Sequence, residues 1–139
     1  MKMIVCSLML LLSLSVYSQS RTTQDVYRHH EEALLNKNKT EIMKDYDENS
    51  VMITPDGKVY KGLEEISKTF DYAFAEFFPQ KIEMQKLHEV IKEEVVFLVY
   101  KIIDGTSGEV VTPYAVDTFV IEAGKIRYQT IASQMPEVD

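Results

Sequence analysis

The chain has one cysteine in 139 residues, at position 6. A lone cysteine closes no disulfide within the chain, and this one falls in a leader-like segment. The folded part is therefore expected to carry no disulfide, no thiolate nucleophile and no cysteine-ligated metal. Tryptophan is missing, and glycine and proline number only five and four. They form no glycine-rich phosphate loop and no nucleophile elbow, nor a linker that would mark a second domain. Basic charge is in deficit too, with 15 Lys and Arg against 22 Asp and Glu and a net charge of −7. That balance fits neither nucleic acid nor an anionic membrane surface as a partner. No cofactor is expected.

The one long uncharged run covers residues 3–16, behind Lys2. It falls short of the ~20 residues that cross a bilayer. It is also apolar on every side, unlike a helix that packs one face on a core. Val16-Tyr17-Ser18 before Gln19 offers a cleavage site, so residues 1–18 read as a signal peptide. Cys6 lies too early in the run to serve a lipoprotein cleavage box. The expectation is an exported protein, periplasmic or secreted, free of the membrane once cleaved. Losing Lys2 takes the net charge to −8. Residues 21–139 remain as one domain with one core.

Thr22 and Asp25 stand at capping-box spacing before a helix. Val26, His30 and Leu34 share its inner stripe, with Tyr27 beside them. Residues 36–39 end it, and Thr40 is placed to cap a short second helix with Ile42, Met43 and Tyr46 on its buried side. Residues 51–54 read as a strand, Pro55-Asp56-Gly57-Lys58 as a turn, and Val59-Tyr60 as its return. Gly62 leads into a third helix with Leu63, Ile66, Phe70, Ala73, Phe74 and Phe77 at helical period, stopped by Pro79. From Lys81 the period becomes that of strands: residues 82–88, 94–103, 109–122 and 126–133, parted by turns. The charge-rich stretch 81–94 reads as strand edge and loop. Helices first and a meander after give an α+β fold, helices packed on one face of a curved antiparallel sheet.

Glu48 through Gly57, followed by Tyr60-Lys61-Gly62 opening a helix, resembles the early hairpin of SnoaL-like proteins. Residues 116–122 with Gly124-Lys125-Ile126 resemble their closing hairpin. These proteins belong to the superfamily of ketosteroid isomerase and nuclear transport factor two. The resemblance spans nearly the whole mature chain in element order, through short motifs. It implies a cone-shaped α+β barrel, a strongly curved antiparallel sheet wrapped around the N-terminal helices with a pocket inside. It also implies a homodimer through the outer sheet face.

Asp117 lies mid-strand on the face of Phe119 and Ile121, where burial would raise its pKa. In the resemblance it matches the protonated oxyanion-hole aspartic acid of the isomerase. A structural reading, a hydrogen bond to a neighbour or a place at a pocket rim, stands beside it. His30, turned to the core by its stripe, falls where the isomerase has its oxyanion-hole tyrosine. It is either a hydrogen-bond donor and acid–base group or a core histidine satisfied by its neighbours. His29 points about 100° away on the helix, toward the surface. Thr54-Pro55 occupies the place of the isomerase's general-base aspartate and its proline. Threonine cannot take a proton from carbon, so that base is missing. Asp56 is a turn residue.

Eight tyrosines and six phenylalanines suit a pocket of apolar walls with a few polar handles. Tyr46, Thr54, Tyr100, Phe119 and Gln129 are the expected ligand-binding residues, and Tyr60, Tyr114, Tyr128 and Thr130 are further polar groups for the cone. The run His29-His30-Glu31-Glu32 lacks the spacing that sets two metal ligands on one helix face, and no metal site is expected. The first functional expectation is binding of a small apolar or amphipathic molecule. The second is a pocket enzyme of isomerase, cyclase or dehydratase type using His30 and Asp117. The third is a non-catalytic dimeric interaction module.

Overall fold

The computed structural model describes residues 20–134, and the signal-peptide expectation for residues 1–18 lies outside them. The capping box forms as read. Thr22 Oγ1 accepts the Asp25 N–H at 3.1 Å and Asp25 Oδ2 accepts the Thr22 N–H at 3.0 Å. It opens helix α1 (Thr23–Leu35), which buries Val26, Tyr27, His30 and Ala33. Leu34, expected on the stripe, is only half-buried, because the inward face turns toward Ala33.

Helix α2 (Lys39–Met43) is capped by Asn38, whose side chain accepts the Glu41 N–H at 3.2 Å, rather than by Thr40. Thr40 lies inside the helix. Tyr46 follows the helix end and is still buried. Strands β1 (Val51–Ile53) and β2 (Val59–Lys61) flank the Pro-Asp-Gly turn. Gly62, at φ 78°, then swings the chain directly from β2 into α3 (Gly62–Glu76), a backbone region that side chains disfavour. Phe77 was expected on the buried face. It caps α3 at 53% exposure, edge-on to Tyr72.

The meander consists of β3 (Ile82–Lys92), β4 (Val95–Asp104), β5 (Val110–Glu122) and β6 (Lys125–Ser133). The charged stretch expected to include a loop is strand through Lys92, and its exposure follows from lying at the sheet edge. Strand order is β2-β1-β6-β5-β4-β3, antiparallel except for the parallel pair β1–β6. The sheet is open, not a closed barrel, with β2 and β3 as its two edges. Register breaks after Lys86, Tyr100 and Val120 bend the strands as bulges do. Helix α1 packs on β3, β4 and β5 and α3 on β1 and β2, with α2 packed against both helices. One core joins Val26, Tyr27, Ile42, Tyr46, Ile66 and Phe70 of the helical side with Val96, Leu98, Phe119 and Ile126 of the sheet. Among the described residues, no helix is long and apolar enough to cross a membrane.

Candidate functional site

Alternation along β5 sends Ala115, Asp117, Phe119 and Ile121 inward, so a carboxyl stands among apolar side chains. Asp117 is 6% exposed. Tyr100 from β4 donates to its Oδ1 at 3.1 Å, and Gln129 Nε2 from β6 donates to its Oδ2 at 3.1 Å. The Tyr46 hydroxyl donates in turn to Gln129 Oε1. Four polar side chains from β4, β5, β6 and the segment after α2 thus form one buried row, Tyr46–Gln129–Asp117–Tyr100. Burial pushes the Asp117 carboxyl up to about 7, although the hydrogen bonds from Gln129 and Tyr100 oppose it. Burial, with the nearby Asp117 charge, holds both tyrosine hydroxyls well above their usual range.

His30 stands beside this row rather than in it. Its ring meets Tyr46, Phe70 and Phe119 edge-on, with centroids 5.6, 6.1 and 5.5 Å away. Burial lowers its pKa to about 4, with Asp45 pulling the other way. Its Nδ1 is buried without a hydrogen-bond partner among the described residues, 3.8 Å from Asp45 Oδ2. Asp45 is itself fully buried. It receives Arg21 Nη1 at 2.8 Å and His29 Nδ1 at 2.8 Å.

Of the residues expected from the sequence, Tyr46, Tyr100, Gln129 and Asp117 come together, and Phe119 and His30 border them. Thr54 does not join them. It stays in the hairpin turn, its hydroxyl donating to Asp56 Oδ1 at 2.6 Å, so the threonine is part of the turn that Asp56 organises. Tyr114 and Tyr128 are about half exposed, and Thr130 is exposed on the outer face. Asp45 escaped notice because a short helix followed by Lys44-Asp45-Tyr46-Asp47 reads as surface. Its one signal was adjacency to Tyr46. His29, expected at the surface, is one-third exposed and bridges Asp45 to Glu41, its Nε2 lying 3.2 Å from Glu41 Oε2. Among the described residues no three His, Cys, Asp or Glu side chains gather as a metal set.

Two hollows stand out among the described residues, and both lie outside the interior. One, of about 650 Å³, runs along Arg21, Thr22, Glu94 and Gly124. The other, of about 200 Å³, is bordered by His29, Glu32, Asn38 and Glu41. Aromatic rings stand in file along the inner side of α3. Phe78 touches Phe74, Phe74 touches Phe70, and Phe70 touches Tyr46, with centroids 5.8, 6.0 and 6.0 Å apart. This file of rings leads from the half-buried Phe74 and Phe78 to the polar row.

Comparison with family models gives no match, and no curated protein matches either. Solved structures do. An NTF2-like protein of unknown function from Cytophaga hutchinsonii aligns over 84% of this chain and 94% of its own, at 19% identity and TM-score 0.63. A protein named as a SnoaL-like polyketide cyclase, from Shewanella denitrificans, aligns over 81% and 90% at 14% identity and TM-score 0.65. One named as a calcium/calmodulin-dependent protein kinase type II association domain, from Thiobacillus denitrificans, aligns over 84% and 98% at 13% identity and TM-score 0.61. The chain shares the fold of these solved NTF2-like and SnoaL-like proteins. The three names differ in kind, and a shared fold does not choose between them.

Proposed function

We propose that this protein binds a small amphipathic molecule inside the cone. The buried row Tyr46–Gln129–Asp117–Tyr100 is the observation that carries the reading. An apolar core of equal volume would be at least as stable, since buried polar groups must be fully paired to break even. A linked row with one perturbed carboxyl in an aromatic interior therefore speaks for recognition. The file Phe78–Phe74–Phe70 is the way in: rotation of these rings would open the interior from the end of α3. Binding is favoured over acid–base chemistry by His30 and Asp117 because these two share no hydrogen-bond partner. Asp117 is committed to Tyr100 and Gln129, whereas His30 packs among aromatic rings with its Nδ1 unbonded.

The test is a thermal-shift and native mass spectrometry screen against apolar hydroxylated and carbonyl compounds. A ligand present at 100 times its Kd should stabilise the protein by about 2.7 kcal/mol. Phe119→Trp, which fills the interior, should lose the shift. Equal shifts in the two proteins would place binding elsewhere and sink the proposal.

We further propose that the protein is an exported homodimer. On the convex face Val59, Ile53, Thr130, Thr118, Phe97 and Val90 stand side by side across all six strands, with no charge among them. The adjacent row runs Val51, Tyr128, Val120 and Val95, with Lys61 and Lys92 only at its ends. Such a contiguous apolar surface favours a partner, and a second copy meets it with the same face. Phe97→Glu should turn a dimer into a monomer in light scattering. Export is tested by N-terminal sequencing, which should start near Gln19.

A further inference from the structure

His30 Nδ1 is the one buried side-chain nitrogen or oxygen among the described residues that has no hydrogen-bond partner. Native cores rarely leave such a group unmatched. What faces it is the carboxylate of Asp45, 3.8 Å away, beyond a hydrogen bond but close enough to decide which nitrogen carries the proton. A lone pair on Nδ1 would point at negative charge, whereas an N–H there is attracted to it. Asp45 is not free to leave. Arg21 and His29 hold its side chain, and its backbone oxygen accepts the Ile126 N–H of β6 at 2.7 Å. Burial also keeps the imidazole neutral near pH 7, so a proton on Nδ1 leaves Nε2 bare.

We propose that Asp45 is a positioning residue that fixes His30 as the Nδ1–H tautomer, so that Nε2 offers the cone a hydrogen-bond acceptor and selects ligands carrying a hydroxyl. The inference rests on the binding reading above for its ligand half, while its tautomer half stands alone. Around His30 the other polar atoms are already engaged. The Tyr46 hydroxyl is bonded to Gln129, and Gln129 and Tyr100 are bonded to Asp117. An alcohol, phenol or enol would donate to Nε2. A ketone of the same shape would set one lone pair against another and leave the nitrogen unpaired.

Two measurements decide it. Nitrogen-15 NMR of the histidine-labelled protein at pH 7 reads the tautomer directly and needs no variant. A proton on Nδ1 with an unprotonated Nε2 is expected, and a proton on Nε2 overturns the assignment. In Asp45→Asn, or in Asp45→Ser if that variant fails to fold, the two tautomers should mix. An unchanged spectrum would show that Asp45 does not set the proton.

The second measurement compares matched pairs of cyclic alcohols and ketones by calorimetry. The alcohol should bind roughly tenfold tighter, and His30→Phe should erase the preference. Equal or tighter binding of the ketone refutes the hydroxyl selection. Binding of neither compound, with the Nδ1–H tautomer in place, overturns the ligand half together with the pocket reading and leaves the role of Asp45 standing.

Discussion

Replacing Asp117 by Asn tests whether the interior carboxyl is as strained as its surroundings imply. Burial moves its pKa from 3.8 up to about 7. The folded protein then holds a proton that the unfolded chain has already lost across that interval. Stability must fall as pH rises through it, by about 1.4 kcal/mol per pH unit and about 4 kcal/mol in all. Asparagine does not titrate, so the difference between variant and wild type isolates this group from every other. At pH 4 the variant should be the less stable by about 1–2 kcal/mol, because a protonated carboxyl oxygen keeps a lone pair for the donor that faces it and an amide N–H₂ has none. That deficit should shrink and reverse toward pH 8. Urea titrations at pH 4, 5, 6, 7 and 8 give the difference, with constant m-values confirming that the same transition is followed. A difference flat in pH, or a deficit that grows with pH, would refute the argument.

His30 works in the opposite sense. Its pKa is lowered from 6.5 to about 4, so the unfolded chain takes up the extra proton and stability is lost as pH falls through that range. His30→Phe should gain on wild type by about 3 kcal/mol between pH 7 and pH 4 in the same titrations. Tyr46→Phe removes the donor to a Gln129 oxygen that is buried. It should cost about 1–3 kcal/mol in urea unfolding, with no dependence on pH. Thr22→Ala breaks the capping box of α1 and should cost about 1 kcal/mol, read by the same assay.

Much of the fold was legible because its signals are local. The capping box needs only Thr22 and Asp25, the hairpin only Pro55-Asp56-Gly57, and the inward face of β5 only the alternation of Asp117, Phe119 and Ile121. The errors also have local causes. Asn38 outranked Thr40 as a cap because a cap competes within one turn, and both residues are good caps. Phe77 shares the helical period, yet the helix ends at Glu76, so the last apolar position falls beyond the part that faces the core. Thr54 was placed by resemblance to an aspartate–proline pair, and the turn claimed its hydroxyl instead. Asp45 was invisible because its partners, Arg21 and His29, come from another helix region, and no spacing in the sequence announces that they converge.

Asp45 and Asp117 are both buried acids, and they differ in how their charge is met. Asp45 is matched by the Arg21 guanidinium and bonded by the His29 ring, so its charge is compensated on the spot. Asp117 is matched only by the neutral donors of Tyr100 and Gln129. Neutral donors recover less of the solvation that a charge loses on burial than a cation does. A fold selected for stability alone would treat the two sites alike, by adding a base beside Asp117 or by deleting the acid. Asp117 instead stays a carboxyl without a cation, bonded to Tyr100 and Gln129, and this is the condition that lifts its pKa. Asp45 is thus a matched charge 3.8 Å from His30, and Asp117 is the acid whose cost the pH titrations read.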